Sequence, residues 1–267
     1  MSILKDITIG QYIPGNSLIH QMDPRAKIIA LIIYIVSVFF VKTFTGFGIV
    51  LIFSIVLLLL SKLSLAYFFK GLRPVMFLIA FTIILNFFMT KGGTILLRVG
   101  SLTIESVGVE KGIFMSLRLI FLVVTTSLLT LTTSPISLTD GIEFILKPFK
   151  RVGVPSHEIA MMMTIALRFI PTLMEESQKI MRAQMARGAD FESGGFLQRA
   201  KAMVPLLVPL FVSAFRRADD LAVAMESRCY RGGENRTRMK ELAVSAVDYL
   251  ALILLTSFLM LFIISGL

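Results

Sequence analysis

The chain has 267 residues, of which 56% are hydrophobic and 16% are charged, and its formal net charge is +10. Because a soluble domain is roughly a quarter charged, this composition excludes an ordinary soluble protein and indicates a membrane protein. The single cysteine excludes an internal disulfide, and two widely separated histidines, His20 and His157, give no metal site, so we expect no metal and no other cofactor.

Apolar runs of about 20 residues, the length needed to cross a bilayer, recur along the chain. Four runs have this length, and a shorter fifth run is flanked by Lys27 and Lys42, whose ammonium groups can extend to the membrane surface. We therefore expect an all-α polytopic membrane protein with about five transmembrane helices. The predicted spans are Ile28–Val41, Thr43–Ser61, Pro74–Thr90, Leu119–Thr139 (its helix beginning near Gly112) and Leu242–Leu267.

The positions of Lys and Arg predict the orientation in the membrane. With the N-terminus inside, the cytoplasmic segments 1–27, 62–73 and 134–240 carry 3, 3 and 16 of these residues, whereas the outer segments, residue 42 and 91–111, carry 1 and 3. Since cytoplasmic segments are enriched in Lys and Arg, we expect a multi-pass cell-membrane protein with a cytoplasmic N-terminus and an external C-terminus. The N-terminal stretch has no apolar run of signal-peptide type, so we expect no cleaved signal.

The long segment 134–240 alternates apolar runs with charged helical stretches. It is too polar to span the membrane and too apolar to stand alone in water, so we expect long, partly amphipathic helices that pack on the membrane region and on partners. Pro155, Pro171, Pro205 and Pro209 are expected to start or kink these helices. The predicted regions are 1–133 with four transmembrane helices, 134–240 with the cytoplasmic helices, and 241–267 with the C-terminal transmembrane helix.

Two helix ends in this cytoplasmic segment resemble each other, in the stretches AQMARG and AMESRC. One interpretation is a helix C-cap, in which Arg complements the helix dipole and a glycine ends the helix. The other is a docking surface, because small residues allow a partner to approach and the planar guanidinium binds carboxylates or carbonyl oxygens. The two interpretations are compatible. The matching residues are Ala186, Arg187 and Gly188 at the first end and Ser227, Arg228 and Cys229 at the second.

Two similar but non-identical arginine ends indicate two similar but non-identical receptors. This pattern points to a pair of ATPase subunits beneath a membrane subunit. The chain itself has no G-x-x-x-x-G-K-[ST], no G-x-S-x-G and no H-E-x-x-H, so we expect a non-catalytic protein. Orientation and protein docking explain its basic charge better than nucleic acid, because no aromatic–basic recognition surface accompanies it.

Three stretches of the sequence match the pattern of a known family in order and topology. They are GNSLIHQMDPRAKI near the N-terminus, ALRFIPTLMEES followed by AQMARG, and RADDLAVAMESRCYRG. The sequence thereby resembles, over nearly its whole length, the EcfT family, the transmembrane T component of energy-coupling factor (ABC-type) importers. In the first stretch the matching residues are Ser17, His20, Asp23, Pro24, Arg25 and Lys27.

The resemblance implies a function for the two arginine ends. In this family two Ala-Arg-Gly-like motifs on cytoplasmic coupling helices dock onto two homologous ATP-binding subunits. The same helices hold a membrane-embedded substrate-binding S component, which releases a vitamin or micronutrient inside when the ATPases close. The motif at 227–229 departs from Ala-Arg-Gly at both flanks, which leaves open the ATPase that each site prefers; the substrate is also open, because specificity resides in the S component.

Several polar residues have both a functional and a structural interpretation. Arg118 and Asp248 lie in or near spans, so they are candidates for a transport relay, for snorkelling, or for a structural intramembrane pair, and we hypothesise that they meet. His20 and Asp23 suggest acid–base chemistry, but we expect them to order the turn before the first helix. Pairs within one helix explain Arg216 and Arg217 followed by Asp219 and Asp220.

Two other functions compete with a coupling subunit. A stand-alone secondary membrane carrier would use Arg118 and Asp248 in its pathway, but such carriers often show paired membrane repeats, and this chain shows no duplication. A membrane enzyme acting on lipid would need clustered polar groups near the interface, and no convincing cluster is present.

Overall fold

The structure of the chain is a computed structural model, and it describes residues 12–99, 102–191, 195–233 and 243–265. Within these ranges the regular structure is almost entirely helical, which confirms an all-α polytopic protein. The predicted absence of a signal peptide and the outermost residues of the C-terminal span lie outside the described residues. The helices are α1 Leu18–Gln21, α2 Pro24–Phe40, α3 Phe44–Ser61, α4 Leu65–Leu72, α5 Met76–Met89, α6 Ser106–Thr132, α7 Pro135–Leu146, α8 Ser156–Ala186, α9 Phe196–Ser227 and α10 Ala246–Ser265.

The chain divides into two compact units. The first, which we call the membrane unit, comprises Met1–Gly141 and Glu241–Leu267, and the second, which we call the α8–α9 unit, comprises Ile142–Lys240. The predicted regions 1–133, 134–240 and 241–267 follow the sides of a membrane, and that division stays a prediction.

Four helices of the described chain are long and apolar enough to cross a membrane: Phe44–Ser61, Leu65–Met89, Ser106–Thr132 and Ala246–Ile264. All four belong to the membrane unit. The fifth predicted span corresponds to α2, which has 17 residues and is shorter than these four, so its crossing of the membrane stays a prediction.

Several predicted spans have different bounds in the structure, and α10, for example, starts at Ala246. The predicted span Pro74–Thr90 begins earlier, because α4 continues through a 3₁₀ turn at Arg73–Val75 into α5. The predicted span Leu119–Thr139 is wrong at both ends, because α6 starts at Ser106 and stops at Thr132. The backbone at Thr133 is extended, and Pro135 then starts α7, as a proline at the first helical position commonly does.

A short hairpin was not predicted. β1 (Ile95–Val99) and β2 (Leu102–Glu105) pair antiparallel between α5 and α6, with Val99 opposite Leu102. The hairpin lies inside the segment 91–111, which we predicted only as an outer connection.

Local sequence explains where several membrane helices begin. Asp23 is the N-cap of α2 and accepts a hydrogen bond from the backbone N–H of Arg25 at 2.8 Å. Thr43 caps α3 through Gly46 N–H at 3.2 Å. Such side-chain caps satisfy backbone donors that have no partner inside the helix.

The core of the membrane unit joins α2, α3, α6 and α10. Tyr34 and Val38 of α2 pack with Val50 of α3, Phe121 of α6 and Phe262 of α10, all of them buried. At the other side of α6, Gly108 allows α5 to approach closely, because a Cβ at this position would lie 2.7 Å from the carbonyl oxygen of Thr90.

Candidate functional site

The first arginine motif forms the C-terminal cap of α8. Gly188 N–H donates to the carbonyl of Met185 and Ala189 N–H donates to the carbonyl of Gln184, both at 3.0 Å. Gly188 has a φ of +86°. This pair of hydrogen bonds, closed by a left-handed residue, is the Schellman motif that commonly ends helices. Arg187 is the C-cap residue itself.

The second motif ends α9 with the same geometry. Cys229 N–H donates to the carbonyl of Glu226 at 2.9 Å, and Tyr230 N–H donates to the carbonyl of Met225 at 3.0 Å. Arg228 is the C-cap residue, and Cys229 has a φ of +57°. The predicted C-cap is therefore confirmed in its backbone geometry at both ends, although Cys229 and not a glycine closes the second. The part of that interpretation in which Arg complements the helix dipole stays a prediction.

The cap geometry accounts for one of the two small residues in each motif. Glycine enters the left-handed region without the steric cost that a Cβ adds, so Gly188 suits its position. Cys229 adopts the same region with a side chain, which places a strained residue beside Arg228. The cap does not explain why Arg187 and Arg228 precede the left-handed residues, because each hydrogen bond of the cap joins backbone atoms only.

All six predicted residues of the two motifs are exposed. They are Ala186, Arg187, Gly188, Ser227, Arg228 and Cys229. Within the described ranges, neither guanidinium makes a hydrogen bond or an ion pair with another described residue. Each motif thus presents an arginine at the tip of a helix that its backbone has already capped.

Helices α8 and α9 pack together and are joined by an ion pair. Arg217 Nη2 donates to Glu176 Oε2 at 2.7 Å. We expected Arg217 to pair within its own helix, and this expectation is wrong, because its guanidinium reaches Glu176 of α8 instead. Both side chains are partly shielded from solvent, so water weakens this ion pair less than it weakens a fully exposed one.

The packing places the two arginine ends apart. Mid-α9 residue Arg217 meets Glu176, whereas Leu221, later in α9, lines an open cavity together with Met161 and Ile165 of the first half of α8. The two helices therefore run in opposite directions along this contact. Arg187 follows Ile165 by 22 residues on α8, which corresponds to roughly 30 Å of helix.

That open cavity lies directly beside Arg228 and has a volume of about 510 Å³. Its apolar lining consists of Met161, Ile165, Leu221 and Met225. The cavity is confined to the α8–α9 unit, and it was not predicted, because residues of the first half of α8 reach the end of α9 only through the tertiary packing.

Arg118 contacts the C-terminal end of α2. Its guanidinium donates to the carbonyl oxygens of Val38 and Phe39 at 3.4 Å and of Val41 at 3.3 Å. It also lies over the Phe39 ring, 5.0 Å from the centroid. A cation at these carbonyls complements the negative end of the helix dipole.

Asp248 is fully buried at the opposite end of α2. Its Oδ1 accepts from the backbone N–H of Asp23 at 3.0 Å, and its Oδ2 accepts from the N–H and hydroxyl of Ser245 at 2.7 and 2.9 Å. The predicted pair between Arg118 and Asp248 is therefore wrong. The 17 residues of α2 separate them, and each side chain is used at a helix end.

Lys27 is a structural residue that sequence reasoning misassigned. We expected its ammonium to reach the membrane surface, but the residue is only 7% exposed. Its Nζ donates to the carbonyls of Thr132 and His20 at 3.0 and 3.3 Å and to Thr133 Oγ1 at 3.2 Å. Lys27 thereby caps the last carbonyl of α6 where that helix ends.

The predicted turn before α2 is confirmed. The ring Nε2 of His20 donates to the carbonyl of Ile13 at 3.0 Å, and Ser17 Oγ lies 2.6 Å from Nδ1. Asp23 caps α2. Both polar residues are thus used in local structure, as we expected.

Comparisons with known proteins identify the family. Residues 15–239 match the model of a family described as cobalt transport protein. The chain is 62% identical over 250 residues to the energy-coupling factor transporter transmembrane protein EcfT of Thermosediminibacter oceani, an alignment that covers 94% of each chain. The chain belongs to the EcfT family.

Other members of the EcfT family are similar over the same length. The proteins of Clostridium kluyveri and Bacillus subtilis, both named energy-coupling factor transporter transmembrane protein EcfT, are 58% and 47% identical to the chain. The alignments cover 93% of both chains for the first, and 92% of this chain and 93% of the relative for the second. The chain is thus a membrane transporter subunit of the energy-coupling factor type, as the resemblance implied.

Proposed function

We propose that this EcfT-family chain is the coupling subunit of an energy-coupling factor importer. It links ATP hydrolysis by two homologous ATP-binding subunits to release of a vitamin or micronutrient from a membrane-embedded S component. The observation that carries the proposal is the pair of exposed arginines, Arg187 and Arg228, at two identically capped helix ends.

The geometry of the two ends suits docking to two separate proteins. Because each cap is completed by backbone hydrogen bonds, the arginine side chains are available to a partner without unmaking the helix end. A guanidinium binds a carboxylate through two parallel hydrogen bonds, which gives orientation as well as affinity. A separation of roughly 30 Å along α8 gives each arginine room for its own ATPase subunit.

The orientation in the membrane belongs to the same proposal. Docking to ATPases requires that Arg187 and Arg228 face the cytoplasm, which agrees with the excess of Lys and Arg in 134–240. The N-terminus would then be cytoplasmic and the C-terminus external. The stand-alone carrier loses its candidate relay, because Arg118 and Asp248 each contact a different end of α2.

Co-purification with the ATPase subunits tests the proposal. The wild-type chain is expected to retain both subunits in mild detergent, and the variant with Arg187→Ala and Arg228→Ala is expected to lose them or to hold them without uptake. A matched control replaces Arg182 and Arg216, two exposed arginines in the interiors of the same helices, with alanine. If the wild-type chain retains no ATPase, the proposal fails, and ion-driven flux by the chain alone becomes the test of the carrier.

A further inference from the structure

We propose that the cavity beside Arg228 is a receptor for one of the ATPase subunits, accepting a segment that presents apolar side chains next to a carboxylate. This inference rests on the proposed function and makes it more specific. At this end the chain would not only insert an arginine into its partner but also accept side chains from that partner.

The lining of the cavity indicates the chemistry of its occupant. Four apolar residues, which we call the apolar floor, contribute to the lining: Met161 and Ile165 from α8 and Leu221 and Met225 from α9. Methionine side chains are flexible and polarizable, so such a floor adapts to different apolar groups. A volume of about 510 Å³ is within the range of binding pockets and exceeds what a single small side chain fills.

The charge of the cavity favours an acidic neighbour for the apolar group. Arg228 and Arg231 contribute to its lining, and among the described residues that line it none is acidic. A carboxylate beside the apolar group would therefore gain a charge-assisted hydrogen bond to a guanidinium. An uncharged apolar segment would leave these two cations without that gain.

The walls of the cavity are held in place by local contacts. The backbone after α9 returns to the start of α8, where Gly233 packs so closely against the His157 ring that a Cβ would clash. His157 Nδ1 in turn lies 3.1 Å from Glu143 Oε1 of α7. These contacts keep the segment that carries Arg231 next to α8, and a preformed receptor loses less entropy on binding.

Thiol labelling tests whether the cavity is filled in the complex. Cys229 is the only cysteine of the chain, so Cys229→Ser gives a background without thiols. In this background Met161→Cys places a thiol in the cavity, and Met162→Cys places one on the adjacent residue, which is 57% exposed and does not line the cavity. A maleimide is added to each variant in detergent, with and without the two ATPase subunits, and the mass of this chain is followed.

Filling of the cavity predicts that the ATPase subunits slow labelling of Met161→Cys severalfold and leave Met162→Cys unchanged. Equal labelling of Met161→Cys with and without the ATPases, in complexes that still co-purify, would overturn the inference and leave the proposed function intact. Protection of Met161→Cys by anionic detergent–lipid micelles without any ATPase would also overturn it, because the occupant would then be lipid. If the wild-type chain itself does not co-purify with the ATPase subunits, that result would instead contradict the proposed function.

A pair of substitutions tests the contribution of the apolar floor. Leu221→Asp introduces a carboxylate into the cavity, whereas Val223→Asp introduces one on the same helix at a residue that is 65% exposed and outside the cavity. We expect the first to weaken ATPase association severalfold and the second to leave it unchanged. Equal association of the two variants, both folded by circular dichroism, would contradict the inference.

Discussion

Three helix ends in the membrane unit are capped differently from the two arginine ends of the α8–α9 unit. In the membrane unit, charged side chains from other parts of the chain reach the ends: Asp248 binds at the start of α2, Arg118 at its end, and Lys27 at the end of α6. In the α8–α9 unit, the backbone closes both ends by itself, and Arg187 and Arg228 stay exposed.

This difference distinguishes a structural arginine, Arg118, from the two arginines that we propose as docking residues. Arg118 has partners within the chain, because the last carbonyl oxygens of α2 have no donor within their own helix. The caps of α8 and α9 consist of backbone hydrogen bonds, and among the described residues Arg187 and Arg228 have no side-chain partner. The exposed cation at each of these two ends is therefore the feature that supports docking to another protein.

The largest effect on stability is expected for Asp248→Ala. The change removes two carboxylate oxygens that accept three hydrogen bonds at a fully buried site, leaving the N–H of Asp23 and the Ser245 groups without their partner. We expect a loss of about 3 kcal/mol, because breaking a buried charged network costs more than a surface contact. Thermal unfolding in detergent measures it, and Asp248→Asn, which keeps one carbonyl oxygen, should lose less.

Lys27→Met is expected to have the next largest effect. It keeps most of the apolar stem but removes the donor that caps Thr132 at the end of α6. We expect a loss of about 2 kcal/mol, the cost of leaving buried acceptors unsatisfied. Lys42→Met is the matched control, because Lys42 is exposed, and equal unfolding temperatures of the two variants would show that Lys27 is not a buried cap.

Arg118→Ala is expected to cost about 1 kcal/mol, because its hydrogen bonds to the α2 carbonyls are long and the side chain is only partly buried. A double-mutant cycle with Asp248→Ala should be additive to within about 0.5 kcal/mol, since the two residues share no partner. A larger coupling energy would contradict the structure and support the predicted intramembrane pair between Arg118 and Asp248.

The smallest expected effect is a gain. Cys229→Gly relieves a left-handed backbone that carries a side chain, so we expect stabilisation by about 0.5 kcal/mol, and Gly188→Ala should destabilise the α8 end by a similar amount. Unfolding temperatures that move in the same direction for both variants would contradict the shared cap geometry.

Sequence reasoning succeeded where local pattern decides the structure. The apolar runs located four membrane helices, Asp23 before Pro24 marked the start of α2, and the arginine–glycine end of α8 marked its cap. Each of these depends on residues close together in the chain, so spacing alone carries the signal.

The tertiary use of charges could not be predicted in this way. We interpreted three charged residues as snorkelling residues or as a pair: Lys27, Arg118 and Asp248. The sequence shows that a charge lies near a membrane helix, but it does not show which helix end the side chain reaches. The cavity beside Arg228 escaped for the same reason, since it needs α9 to run back along α8. The hairpin between α5 and α6 was missed because its strands are short.

The most direct test of the central claim is uptake by the reconstituted importer, containing this chain, both ATPase subunits and an S component in liposomes. The account predicts that Arg187→Ala with Arg228→Ala abolishes ATP-driven uptake while the unfolding temperature of the chain stays unchanged, and that Arg182→Ala with Arg216→Ala leaves uptake intact. Normal uptake by the Arg187→Ala and Arg228→Ala variant would contradict the claim that these two exposed helix ends couple the chain to its ATPases.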